Sequence, residues 1–200
     1  MAVKTESLEA ELVDSVCARI RDRVSGDEAA QAEAFARQYY HWVPSEDLAD
    51  RSPDDLYGAA LAHWRLALER APGEAKVRVY NPDPDQDGWS SPHTVVEVVS
   101  DDMPFLVDSV TMALGREGHG IDLVIHPVLH VVRDEDGHLT EVLDPGAESS
   151  EDSISESILR AEVTREPDEQ RVAIAGSIMQ QHGSPGRKIP ADQHDSEERE

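Results

Sequence analysis

Residues 93–133 read HTVVEVVSDDMPFLVDSVTMALGREGHGIDLVIHPVLHVVR, and the order of patterns inside this stretch decides the fold. His93 to Ser100 is rich in β-branched residues and reads as a strand. Two acids, Asp101 and Asp102, end it. Pro104 then opens an apolar run in which Val107, Val110 and Leu114 recur at helical spacing, with Met103, Leu106 and Met112 beside them. On this reading Asp101 or Asp102 caps a helix over 104–117, Pro104 sits in its first turn, and Asp108 lies where the helix dipole favours a negative charge. Gly115, Gly118 and Gly120 end the helix. Ile121 to Arg133 is a second β-rich run, and Pro127 inside it calls for an edge position or a bulge.

Working outward, Asp134-Glu135-Asp136-Gly137 is a hairpin-type turn and His138 to Leu143 the returning strand. A polar, flexible insertion over 144–152 precedes a strand over 157–164 and a modest helix from Asp168 to Gln181. On the other side, Lys76 to Tyr80 alternates polar and apolar, as a half-exposed edge strand does. The first seventy residues read as helices. Leu8, Leu12, Val16, Ile20 and Val24 form one stripe; Phe35, Tyr39 and Tyr40 follow Asp27 as cap; Leu56, Ala60, Trp64 and Leu68 follow Ser52 as cap and Pro53 at the first turn. The expected organisation is α+β: a helical segment over 1–74, a sheet domain over 75–182, and an acidic tail over 183–200 too poor in apolar residues to fold.

Charge limits the partners. Forty-two acids against 18 bases give a net charge of −24 over 200 residues. Such a chain repels phosphate backbones and anionic bilayers, so neither nucleic acid nor membrane is expected as a partner. The N-terminal stretch carries acids where a signal peptide needs an apolar core, and Cys17 has no second cysteine to pair with. A cytoplasmic protein is expected.

No motif states a reaction. Asp83 to Gly88 places carboxylates at alternate positions with a glycine sixth, like a calcium loop, but the twelfth position is Thr94 and a strand follows. His126 and His130 lack a third ligand at zinc spacing, and the remaining histidines, His93 among them, form no cluster in sequence. No glycine-rich phosphate loop or nucleophile elbow is present, so no catalytic residue, metal or bound cofactor is expected. The one candidate site is the corner formed by Asp101, Asp102, Met103, Pro104, Phe105 and Asp108, which is either a helix start or a small-ligand loop.

That corner and the order of elements around it resemble the ACT domain, a small βαββαβ module of ferredoxin-like topology that binds amino acids or other effectors. The family's corner reads Asp-x-Pro-Gly-Leu-Leu; here it is Asp102-Met103-Pro104-Phe105-Leu106-Val107, with Phe105 replacing the glycine. The resemblance implies an ACT-like sheet with helices on one face, although a final strand after the last helix is not evident. The runs DLADRSPDDLYGAALAHWRLA, KVRVYNP, GWSSPHTVVEVVSDDMPFLVDSVTMAL and IDLVIHPVLHVVRD are similar to the N-terminal region of the large bacterial NAD-specific glutamate dehydrogenases, from about Phe35 to Asp134. The similarity weakens between Asp144 and Glu166 and fades from about Arg171. Those enzymes deaminate L-glutamate to 2-oxoglutarate and ammonia and reduce NAD. The resemblance implies that nucleotide and catalytic machinery lie outside this chain, and that this chain serves regulation or assembly. Its partners would be the rest of the dehydrogenase, another copy, or a small amino-acid effector. A stand-alone sensor or oligomerisation module is the alternative.

Overall fold

The computed structural model describes residues 2–41, 43–49, 51–145, 152–168 and 170–172. Most of the helix expected up to Gln181, the acidic tail, and the middle of the insertion after Asp144 lie outside them. The elements are α1 (Ala2–Arg23), α2 (Asp27–Tyr40), α3 (Ser45–Leu48), α4 (Pro53–Ala67), β1 (Lys76–Tyr80), β2 (Thr94–Asp101), α5 (Leu106–Arg116), β3 (Ile121–Ile125), β4 (Val128–Arg133), β5 (Leu139–Val142) and β6 (Ser153–Val163).

All strand pairs are antiparallel, in the order β1-β2-β6-β4-β5, with β3 also on β6. The long strand β6 organises the sheet. One edge pairs with β2 along its length. The other edge pairs first with β4 (Val128 opposite Ser157) and then with β3 (Ile125 opposite Arg160). The run over 121–133 is thus two short strands laid end to end along β6, and Pro127 marks the break. The proline has no N–H, but its carbonyl accepts from Ile158 N–H at 3.0 Å, so β6 keeps its ladder across the gap. The strand over 76–80 takes the edge position next to β2 that its alternation predicted.

Strand alternation sorts side chains onto two faces. Val96, Val98, Leu159, Ala161 and Val163 pack against Leu106, Val110 and Leu114 of α5. The other face carries Val99, Leu123, Ile125, Leu129 and Ile158, which share one apolar cluster with Val16, Phe35, Tyr40 and Trp64 of α1, α2 and α4. The sheet's own helix therefore lies on one side, and the N-terminal helices roof the other. A cluster continuous across both regions means that neither region could shed the other without exposing apolar surface.

Local signals held where the chemistry is local. Ser52 Oγ accepts from Asp55 N–H at 3.0 Å at the start of α4, with Pro53 in the first turn. They failed at the 101–105 corner. Neither Asp101 nor Asp102 caps α5: Asp101 is the last residue of β2, and Asp102 N–H donates to Ser155 O at 3.0 Å. Helix α5 begins at Leu106, two residues beyond Pro104, with Phe105 in the cap position and no side-chain cap bond. Likewise Gly26, at φ 72°, precedes α2 where Asp27 was expected to cap, and β6 begins four residues before Ser157.

Candidate functional site

At the corner, the two acids are bound to the protein's own groups. Asp101 Oδ1 accepts from Arg70 Nη2 at 2.6 Å. Arg70 is fully buried and also donates to Glu156 Oε1 at 2.7 and 3.0 Å, while Arg133 donates to the same carboxylate at 2.6 and 2.8 Å. Asp101 therefore closes a buried cluster in which two guanidiniums share one carboxylate. Asp102 Oδ1 accepts from Ser157 Oγ at 2.8 Å. Burial holds the nearby His126 imidazole below its ordinary range, against the upward pull of the Asp102 charge. Met103 packs on the α5 core, whereas Pro104, Asp108 and Phe105 face solvent. Phe105 is 76% exposed and holds φ 66°, ψ 14°, the left-handed region that a β-carbon disfavours. The free elements of the corner are thus an aromatic ring and an uncapped helix start.

A second constellation lies farther along β6, on the face that the N-terminal helices roof. A cavity of about 380 Å³ opens between α3, α4, the 89–93 loop, β3 and β6, with Arg51, Trp89, His93, Asp122, Arg160 and Glu162 among its walls. Sheet register assembles it. Leu123 lies opposite Glu162, and the register shifts between Ile121 and Leu123. A bulge of this kind re-aims a side chain, here bringing Asp122 to the side of Glu162. His93 directly precedes β2, where Thr94 lies opposite Val163. Three neighbouring strands thus deliver His93, Glu162 and Asp122 to one place. Nδ1 of His93 lies 3.4 Å from Glu162 Oε2 and 3.6 Å from Asp122 Oδ2. Arg51, from the α3–α4 link, donates to Glu162 Oε2 at 2.6 Å and to Asp122 Oδ2 at 3.4 Å.

Behind these groups runs a buried charge ladder. Arg78, Glu97 and Arg160 face one another across β1, β2 and β6, in register. Arg78 donates to Glu97 Oε2 at 2.7 Å, Arg160 donates to Glu97 Oε1 at 3.3 Å and to Glu162 Oε1 at 2.8 Å, and the Arg160 guanidinium lies 4.8 Å from the centre of the Trp89 ring. Burial alone would push the Glu162 carboxyl up, but the Arg160 and Arg51 charges outweigh it and hold the group below its ordinary range. Trp89 fits against α4 because residue 58 is glycine: a β-carbon there would lie 2.3 Å from Trp89 Cβ.

Other sequence candidates resolve locally. Asp83 Oδ1 accepts from the amides of Asp85 and Gln86, and Asp87 Oδ2 accepts from Asp83 N–H, so the calcium-like loop spends these carboxylates on its own turn. His130 Nδ1 lies 3.1 Å from Ser155 Oγ. Among the described residues, the donors that converge as metal ligands do are His93, Asp122 and Glu162. His93 has no partner near it in sequence because Asp122 and Glu162 arrive from distant strands. Cys17 is fully buried, and burial pushes its thiol up, away from nucleophilic use.

A family model described as glutamate dehydrogenase, ACT1 domain, matches residues 35–178. The chain belongs to that family. The chain is 41% identical over 163 residues to the NAD-specific glutamate dehydrogenase of Halomonas elongata, covering 82% of this chain and 10% of that protein. The enzyme of the same name in Pseudomonas aeruginosa is 41% identical over 141 residues, covering 70% of this chain and 9% of that protein. The one in Mycobacterium tuberculosis is 29% identical over 153 residues, covering 76% and 9%. The chain thus spans about a tenth of the length of these relatives. No solved structure matches it.

Proposed function

We propose that this chain is a regulatory or assembly domain of an NAD-dependent glutamate dehydrogenase, without catalysis of its own, and that it works by contact through the 101–108 corner. The parent reaction, oxidative deamination of L-glutamate to 2-oxoglutarate with NAD as acceptor, would run on polypeptide outside this segment, in the cytoplasm. The observation that carries the reading is Phe105. A residue with a β-carbon at positive φ costs about 1–2 kcal/mol, and a solvent-facing ring recovers none of it. Strain kept at an exposed position is explained when a partner covers the side chain. That partner is the remainder of the dehydrogenase or a second copy.

The corner favours contact over effector capture. Asp101 and Asp102 already hold Arg70 and Ser157, and the Phe105 side chain stands at the helix start where glycine would admit a ligand. Titration with the 20 amino acids by calorimetry is expected to give no heat of binding. Stoichiometric binding abolished by Asp102→Ala would replace this reading with an amino-acid sensor. Glutamate-dependent NAD reduction by the isolated chain would sink the non-catalytic claim.

A further inference from the structure

We propose that His93, Asp122 and Glu162 form a binding site for a divalent transition ion of the Zn²⁺ type, which Arg51 occupies as counter-cation when the metal is absent. The spacing carries the first part. Zinc bonds to nitrogen and oxygen near 2.0–2.2 Å set tetrahedral ligands roughly 3.3–3.5 Å apart. His93 Nδ1 stands 3.4 and 3.6 Å from its two carboxylate oxygens, and all three donor atoms lie within 4.8 Å of one another. One imidazole with two carboxylates suits an ion of this class.

Unmet hydrogen-bonding capacity carries the second part. His93 Nδ1 is buried and makes no hydrogen bond among the described residues, although both carboxylates are close. The indole N–H of Trp89, in a residue only 4% exposed that lines the same cavity, also lacks an acceptor there. A metal on His93 Nδ1 satisfies the first group, and a ligand in the ion's open position, facing the cavity, offers an acceptor to the second. The outer shell is in place: Arg160 grips Glu162 Oε1 and leaves Oε2 for the ion.

Charge decides how the ion enters. Glu97, Glu162 and Asp122 balance Arg51, Arg78 and Arg160, so the set is neutral as it stands. A divalent ion is accommodated when Arg51 swings off Glu162 Oε2. Its side chain is 22% exposed on the α3–α4 link, with solvent to turn into. Arg51 and the metal therefore compete for one carboxylate oxygen.

The test is Zn²⁺ titration of the purified chain against a chromophoric chelator near neutral pH, with the fold of each variant checked by circular dichroism. One equivalent is expected per chain. His93→Ala and Asp122→Asn should each weaken binding by at least about tenfold. The Asp122 side chain is half exposed, so Asp122→Asn leaves the fold standing. Arg51→Gln should act in the opposite direction and tighten binding, because it removes the competitor. No uptake, uptake unchanged in His93→Ala and Asp122→Asn, or weaker binding in Arg51→Gln would each overturn the proposal.

Discussion

Lowering the pH from 7 to 4.5 should destabilise this protein through His63, by an amount that follows from its surroundings. His63 is fully buried between α2 and the sheet. Its Nε2 lies 3.3 Å from the Val98 carbonyl, which can only accept, so Nε2 carries the proton and Nδ1 accepts from the Tyr39 hydroxyl at 3.1 Å. Burial disfavours the positive ring and, outweighing the upward pull of the Glu97 charge and of the Val98 carbonyl, brings the group down from 6.5 to about 4. The folded pKa is depressed below the unfolded one. The unfolded chain therefore takes up the proton first as pH falls through 6.5, and stability drops until the folded state is protonated too, near pH 4. Between pH 7 and 4.5 the loss from this one group is about 2–3 kcal/mol. Other groups titrate in the same window, and falling net charge relieves self-repulsion, so the assay is a difference. Urea unfolding followed by tryptophan fluorescence is run at both pH values on the wild type and on His63→Gln, which cannot titrate. The wild type should lose about 2–3 kcal/mol more than the variant on acidification. Equal losses would refute the account of a neutral, buried His63.

Two further outcomes test the packing. Glu156→Gln leaves the buried Arg133 guanidinium without a carboxylate and Arg70 with Asp101 alone, which should cost about 3–5 kcal/mol in equilibrium unfolding; a loss below about 1 kcal/mol would mean the cluster is wet and worth no more than a surface pair. Gly137→Ala should destabilise the β4–β5 turn by more than the roughly 1–2 kcal/mol of positive φ alone, since φ is 86° and the new β-carbon would lie 2.4 Å from the Arg70 carbonyl oxygen; an unchanged midpoint in thermal unfolding would contradict that close approach.

Features set by local chemistry were legible in the sequence, and those set by register were not. The Ser52 cap, the α5 stripe of Val110 and Leu114, and the strand over 76–80 each depend on neighbours a few residues away. Asp101 and Asp102 looked like helix caps because acids before an apolar run usually are. What claims them is Arg70 and β6, which a local pattern does not reveal. The sequence reads β6 from Ser157 onward because Ile154 is the one apolar residue over 153–156; pairing with β4, and of Glu156 with Asp101 of β2, extends the strand back to Ser153. The same holds for Glu97, Arg160 and Glu162, charged residues in a strand that the sequence alone would turn to solvent. They are buried because register sets them opposite one another. His93 and Asp122 join them through a bulge that no residue pattern announces.

The contact role of the corner is tested most directly by Phe105→Gly, made both in this chain and in the full dehydrogenase. Glycine relieves the strain at φ 66° but adds freedom to the unfolded state, for a net gain of about 0.5–1 kcal/mol. The measurement pairs unfolding of the isolated domain with light-scattering mass of the whole enzyme across a dilution series. The account predicts a domain that unfolds later and an enzyme that dissociates at higher concentration. An enzyme whose mass is unchanged at every dilution would contradict it.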